Sequence, residues 1–201
     1  MWLRGAERAI AGEVEADVPC DGCTACCRSG QFVHVAPDEA DTLAHIPAEL
    51  LFPAPGLPRG HRLMGYDERG HCPMLVDDAC SIYDHRPRTC RSYDCRVFTA
   101  TGVGPGDDKP AVAERVGRWT FGHPAALDRV EHEACRAAAA FLVAHAGDVS
   151  LGSAARNPVA LAGLAIEVHH LFVGRDEATG CPVVIAPDLA AVRSALDRPG
   201  A

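Results

Sequence analysis

The sequence predicts an α+β fold: an irregular, cysteine-rich, metal-cored half with short strands, followed by a helical C-terminal half. Three observations predict it. Eight of the ten cysteines lie between Cys20 and Cys95, four of them within VPCDGCTACCRSG. Prolines at 47, 53, 55 and 58 break up the first half, so regular elements there stay short. After residue 110 the pattern changes to long helical stripes, the longest over Pro124–Ala146.

Taken in order, residues 1–18 hold a short helix and a lead-in. Cys20, Cys23 and Cys26 recur every third residue, a spacing that a helical turn or a knuckle loop turns towards one centre. Gly22 permits a tight backbone passage there. QFVHV (31–35) alternates and is rich in β-formers, which predicts a strand. In APDEADTLAHIP, Pro37 marks a helix start, Asp38 and Glu39 fall in its first turn, Leu43 and Ile46 face inward, and Pro47 ends it. Residues 47–60 read as an extended loop covering the site. RLMGYDERGHCPML predicts a hairpin turning at Asp67–Gly70 that delivers Cys72. The segment from Asp77 to Phe98 carries Cys80, Cys90 and Cys95.

TGVGPGDDKP (101–110) reads as a linker, giving a cysteine-cluster region over 1–100 and a mainly helical region over 111–201. AVAERVGRWTF is ambiguous, strand or irregular. His123–Pro124 opens the main helix, with Leu127, Val130, Ala134, Ala138, Phe141 and Leu142 along its stripe and Gly147 as its stop. Asn157–Pro158 opens a second helix through Leu171, with Gly174 as its stop. Residues 187–196 form a third.

The chain of 201 residues is long enough to bury a core without staples. A net charge of −8 argues against nucleic acid and anionic membrane as partners. Glu7, Glu13, Glu15 and Asp17 interrupt the N-terminus, so no signal-peptide run is expected there, and no window is long and apolar enough to span a membrane. The expected location is the cytoplasm. In that reducing compartment clustered thiols point to metal rather than to disulfides.

Four thiols packed as tightly as Cys20, Cys23, Cys26 and Cys27 are not explained by core packing. With Cys72, Cys80, Cys90 and Cys95 they make eight candidate ligands, enough for two tetrahedral zinc sites or two cubane iron–sulfur clusters, or for one site with bridging and spare thiols. Sequence neighbours rarely turn both sulfurs to one ion, so Cys26 and Cys27 are expected to serve different centres, or one of them to stand beside the metal. CxxCxxC with a remote Cys72–Pro73 partly echoes the ferredoxin pattern, while Cys90 and Cys95 also fit a zinc pair, so spacing leaves zinc and iron open. Arg28, Arg86, Arg88, Arg91 and Arg96 lie beside the cysteines, where cations favour thiolates. Arg86 and Arg91 are the expected structural partners, and Tyr83 a packing or hydrogen-bonding neighbour.

CDGCTACC, then HCPML, then CSIYDHRPRTCRSYDC together resemble the CxxCxxCC family of zinc- or iron-chelating proteins, the YkgJ-like cysteine-cluster proteins. All eight cysteines, with Tyr83, Arg86, Pro87 and Arg91, stand in register with the family pattern over about residues 18–98. The resemblance implies metal ions as partners, with zinc or iron, including an iron–sulfur cluster, as cofactor. It implies no particular reaction and leaves a protein partner open. Flagellin lysine methylases carry a similar cysteine pattern, so the resemblance also admits a cluster-dependent enzyme, a methyltransferase or a redox enzyme.

Cys135 reads as a small buried hydrophobe, and Cys181 as buried or free. His71 and His85 are the histidines best placed to substitute as ligands, although polar or surface roles are favoured for both. His169 and His170 read as helix-surface residues. No Walker, nucleophile-elbow or HExxH signature is present.

Overall fold

The elements obey the punctuation of the sequence. Prolines and glycines hold the first half to strands of two or three residues, and alanine-rich stretches build helices in the second. The computed structural model describes residues 2–16, 18–20, 22–149 and 151–197. They form a mixed α+β arrangement with the cysteines concentrated in the N-terminal half. Two compact units interleave along the chain: Met1–Val14, Cys95–Gly106 and Val116–Ala201 in one, Glu15–Asp94 and Asp107–Arg115 in the other.

The second of these units carries seven of the eight clustered cysteines. Strand β1 (Val33–Val35) confirms the predicted strand. Helix α2 (Ala40–His45) begins three residues later than expected, after a turn at Pro37 and Asp38. The reason lies in Glu39. Its carboxylate turns inward and accepts the N–H groups of Ala36, at 2.8 Å, and Arg88. A group so engaged caps the turn rather than extending the helix.

Residues 47–60 are not wholly loop. A 3₁₀ turn over Ala48–Leu50 leads into β2 (Leu51–Pro53), which pairs antiparallel with β3 (Arg62–Met64), and β3 pairs antiparallel with β1. The turn at Asp67–Gly70 forms, with Asp67 N–H donating to His71 O at 2.8 Å, but the hairpin's arms are reassigned. β3 finds its partners in β1 and β2, where Val35 and Met64 gain burial that the chain after Gly70 does not offer. β4 (Leu75–Val76) instead pairs with β5 (Ala79–Cys80) across Asp77 and Asp78, both left-handed at φ +48° and +59°. That geometry belongs to a two-residue hairpin turn, which aspartate tolerates.

A 3₁₀ turn over Tyr83–His85 precedes α3 (Arg88–Ser92). Thr89 Oγ1 donates to His34 O at 2.8 Å, tying α3 to β1. Val35, Ile46, Met64, Met74 and Ile82 form this unit's apolar core, with Cys72 and Cys80 packed on its margin. Residues 111–121 hold neither strand nor coil alone: α5 spans Pro110–Val116, with proline at its first position. Lys109 Nζ donates to Ser29 O at 3.0 Å and Arg115 to Pro19 O at 3.3 Å, so this segment grips both ends of the first cysteine run.

In the other unit, α1 (Trp2–Ile10), α4 (Arg96–Thr101), α6 (Ala126–Ala144), α7 (Pro158–Val168) and α8 (Leu189–Leu196) confirm or extend the helical reading. Asp128 accepts Ala125 N–H at 2.8 Å to start α6, and Asn157 caps α7. Ala134, Ala138, Leu142, Ala165, Val168, Phe172 and Val192 form its core. Gly174 is no helix stop. It lies in β6 (Val173–Arg175), opposite Val183 of β7 (Pro182–Val184), and a Cβ there would come within 2.6 Å of Ile185. The hairpin needs a residue without a side chain at that point. His169 is buried rather than on the helix surface, 3.7 Å from Glu7 Oε1. Cys135 is buried in α6 as expected, and Cys181 is exposed.

Candidate metal centre

The first cysteine run folds as consecutive tight turns. Cys20 O accepts Cys23 N–H at 2.6 Å, and Gly22 takes φ +66°, a left-handed conformation costly for any residue with a side chain. Cys26–Arg28 then forms a 3₁₀ turn, braced by Arg28 Nε donating to Thr24 Oγ1 at 3.1 Å and by Arg28 pairing with Asp78. Two backbone bonds sew this run to the 67–72 turn: Cys72 N–H to Cys27 O at 2.7 Å, and Gly30 N–H to Gly70 O at 2.8 Å.

Each remaining thiol of this unit arrives on a different element. Cys72 precedes a turn closed by Leu75 N–H on Cys72 O, and the Met74 N–H points at the Cys72 sulfur. Cys80 ends β5, opposite Leu75 in β4. Cys90 sits in the first turn of α3, its N–H on Pro87 O at 2.8 Å.

These placements bring Cys26, Cys27, Cys72, Cys80 and Cys90 close enough that Cys27, Cys72 and Cys90 feel the charge of others in the group. The Cys27 S–H donates to the Cys26 sulfur, so the two chain neighbours turn their thiols to one another. That bond is the main cause that holds Cys26 down to about 7, with Arg86 helping, and it pushes Cys27 far up. Burial and the neighbouring thiols raise Cys90 to about 12, and burial raises Cys72. The group thus accepts one negative charge readily, on Cys26, and resists more without a cation in its midst.

Cys20 and Cys23 lie on the loop immediately before this group, half-buried. Cys95 lies in the other unit, at the start of α4, where its sulfur accepts the Trp119 indole N–H at 3.2 Å. No disulfide joins any of the ten cysteines.

Arg86 stacks its guanidinium 3.5 Å above the Tyr83 ring and lowers the thiol values of Cys26 and Cys90. Its Nε is buried and has no hydrogen-bond partner among the described residues. An orphaned cationic N–H beside a cluster of thiols fits a centre whose sulfurs become anionic on binding metal. Arg91 turns elsewhere, Nε 3.2 Å from Glu15 Oε1, while its carbonyl accepts Ala16 N–H at 3.1 Å.

Sequence reasoning missed three contributors. Glu39 read as a helix-end charge, yet it is a buried staple between the chain before α2 and the helix bearing Cys90. Met74 contributes through its backbone, which composition does not reveal. Trp119 lies 24 residues from the sulfur it touches, and no local pattern joins them.

No curated protein and no solved structure matches the chain. Residues 19–104, 86 of the chain's 201, match the CxxCxxCC family model, whose description is "Putative zinc- or iron-chelating domain".

Proposed function

We propose that this protein binds zinc or iron through its clustered cysteines: Cys20, Cys23, Cys26, Cys27, Cys72, Cys80 and Cys90, carried on one unit, with Cys95 from the same sequence pattern. The observation that carries the reading is that five thiols from four separate elements lie within electrostatic reach of one another, with Arg86, whose buried Nε has no hydrogen-bond partner among the described residues, near enough to lower Cys26 and Cys90. Bringing thiols together from distant elements costs chain entropy, which a bound ligand would offset. When bound, zinc would supply a tetrahedral crosslink, and iron as a sulfur cluster would add one-electron chemistry.

The chain's own contributions follow from the geometry. Cys26 would offer a thiolate to a bound cation most readily, and the other clustered cysteines would complete the set that holds it. Arg86 offsets the residual negative charge, and the Met74 N–H stabilises sulfur charge on Cys72. Ten cysteines, eight of them clustered, fit a reducing compartment such as the cytoplasm.

The test is metal and sulfide analysis of protein purified without oxygen, with an absorption spectrum and a thermal melt before and after chelation. Stoichiometric zinc without colour, or iron with absorption near about 400 nm, supports the reading, with a fall in melting temperature on chelation. A metal-free protein of unchanged stability contradicts it.

A further inference from the structure

A second cluster of metal-ligating groups stands apart from the thiols and contains no sulfur. Asp41 and His45 lie four residues apart on one face of α2. The 3₁₀ turn over Tyr83–His85 places His85 against them, with its Nδ1 2.7 Å from Asp41 Oδ2. His45 Nδ1 lies 3.8 Å from Asp41 Oδ1. The two imidazoles stack nearly parallel, centroids 3.5 Å apart at 7°. One ligand atom from each of the three residues lies within 4.8 Å of the other two.

The geometry points to Asp41, His45 and His85 as a second metal site, taking a divalent cation of borderline softness such as Ni(II), Zn(II) or Cu(II). Two imidazoles and one carboxylate are the donor set these ions prefer, and hard Ca(II) or Mg(II) does not. The Asp41 carboxylate accepts a hydrogen bond from His85 Nδ1 and stands at ion-pair distance, 3.8 Å, from His45 Nδ1, with the two rings face to face. A cation bound by all three would draw the carboxylate and both rings to one centre.

The site is pre-set by the core beneath it. Ile46, directly after α2, and Ile82, directly before the 3₁₀ turn, are both buried in the same apolar cluster. Glu39 fixes the start of α2 to Arg88, and Thr42 Oγ1 reaches Arg86 O at 3.5 Å. The ligand-bearing elements are therefore held together before any ion arrives, which lowers the ordering cost of binding. His45 Nδ1 also contacts Asp41 O at 2.8 Å, a contact that binding through Nδ1 would give up. At an exposed ring that loss is small, because water can satisfy the carbonyl. Arg91, whose charge reaches Asp41, sets a limit on affinity.

The site is independent of what the thiols hold, and the experiment keeps the two apart. Ni(II) is titrated calorimetrically into the protein as purified, with the absorption spectrum recorded at each step. The expected result is one equivalent bound without sulfur-to-nickel charge-transfer bands. Its affinity should fall by roughly tenfold or more in His45→Ala and in His85→Ala. His34→Ala and His61→Ala alter the other stacked histidine pair, whose ring centroids are 5.0 Å apart, and should leave the affinity unchanged. All four are polar side-chain truncations, and circular dichroism verifies each fold. No sulfur-free binding event would overturn the assignment, as would an affinity unchanged in both His45→Ala and His85→Ala, or one lost equally in His34→Ala.

Discussion

The backbone N–H of Cys72 donates to the carbonyl oxygen of Cys27 at 2.7 Å, and this bond joins the two cysteine clusters across 45 residues of chain. Its companion, Gly30 N–H to Gly70 O, crosses where two glycines pack against each other. Gly70 takes φ +76°, and a Cβ on it would lie 3.5 Å from Gly30 N. Gly70→Ala is therefore expected to cost about 1–2 kcal/mol from left-handed strain and to loosen the register between the clusters. Chemical denaturation of the metal-free protein measures the loss, and a variant as stable as the parent would contradict it.

Cys26 should be the first thiol to react. Its value of about 7 rests on the Cys27 S–H and on Arg86. In metal-free protein, alkylation of Cys26 should rise with pH through a midpoint near that value, while Cys90, held near 12, stays slow. Peptide mapping after brief iodoacetamide treatment reads both rates. Cys27→Ala removes the donor and should move the Cys26 midpoint upward. Equal rates for Cys26 and Cys90 would refute the assignment.

Glu39→Gln should destabilise the unit that carries it. The carboxylate accepts two backbone N–H groups, from Ala36 and Arg88, and an amide can accept only with its single oxygen. One buried N–H loses its partner, at a cost of about 1–3 kcal/mol. A shift in denaturation midpoint tests this, and no shift would show that the staple carries no stability.

Cys135 should impose an alkaline limit on the other unit. Burial, then Glu7 and Glu131, raise this thiol to about 12 from an ordinary 9.0. A raised value means the folded state keeps its proton longer. The stability it contributes is whole below pH 9 and declines towards pH 12, by about 1.4 kcal/mol per pH unit in that window. Cys135→Ala should flatten the fall in melting temperature over this range. An identical slope in parent and variant would remove Cys135 as the cause.

Local pattern carried much of this molecule. The Asn157–Pro158 start of α7, the alanine-rich stripe of α6 and the alternation in β1 each express a preference that acts over a few residues, and each formed near its expected place. The misread elements turned on partners distant in sequence. β3 reads like the first arm of a local hairpin, but burying Met64, opposite Val33, in one core with Val35 decides its pairing. Gly174 reads like a helix stop until the close approach of Ile185 is known. The cysteine spacing marked the residues of the candidate centre. It could not reveal that Arg91, adjacent to Cys90 in sequence, pairs with Glu15, while Arg86, four residues from Cys90, lowers the Cys26 and Cys90 thiols.

The central claim is that the sulfurs grip the metal directly, and X-ray absorption at the edge of the metal that copurifies reads this shell. The expected spectrum shows a first shell dominated by sulfur at about 2.3 Å, with copurified metal lost from the Cys72→Ser, Cys90→Ser double variant. A shell of nitrogen and oxygen alone, or full metal content in that variant, would contradict it.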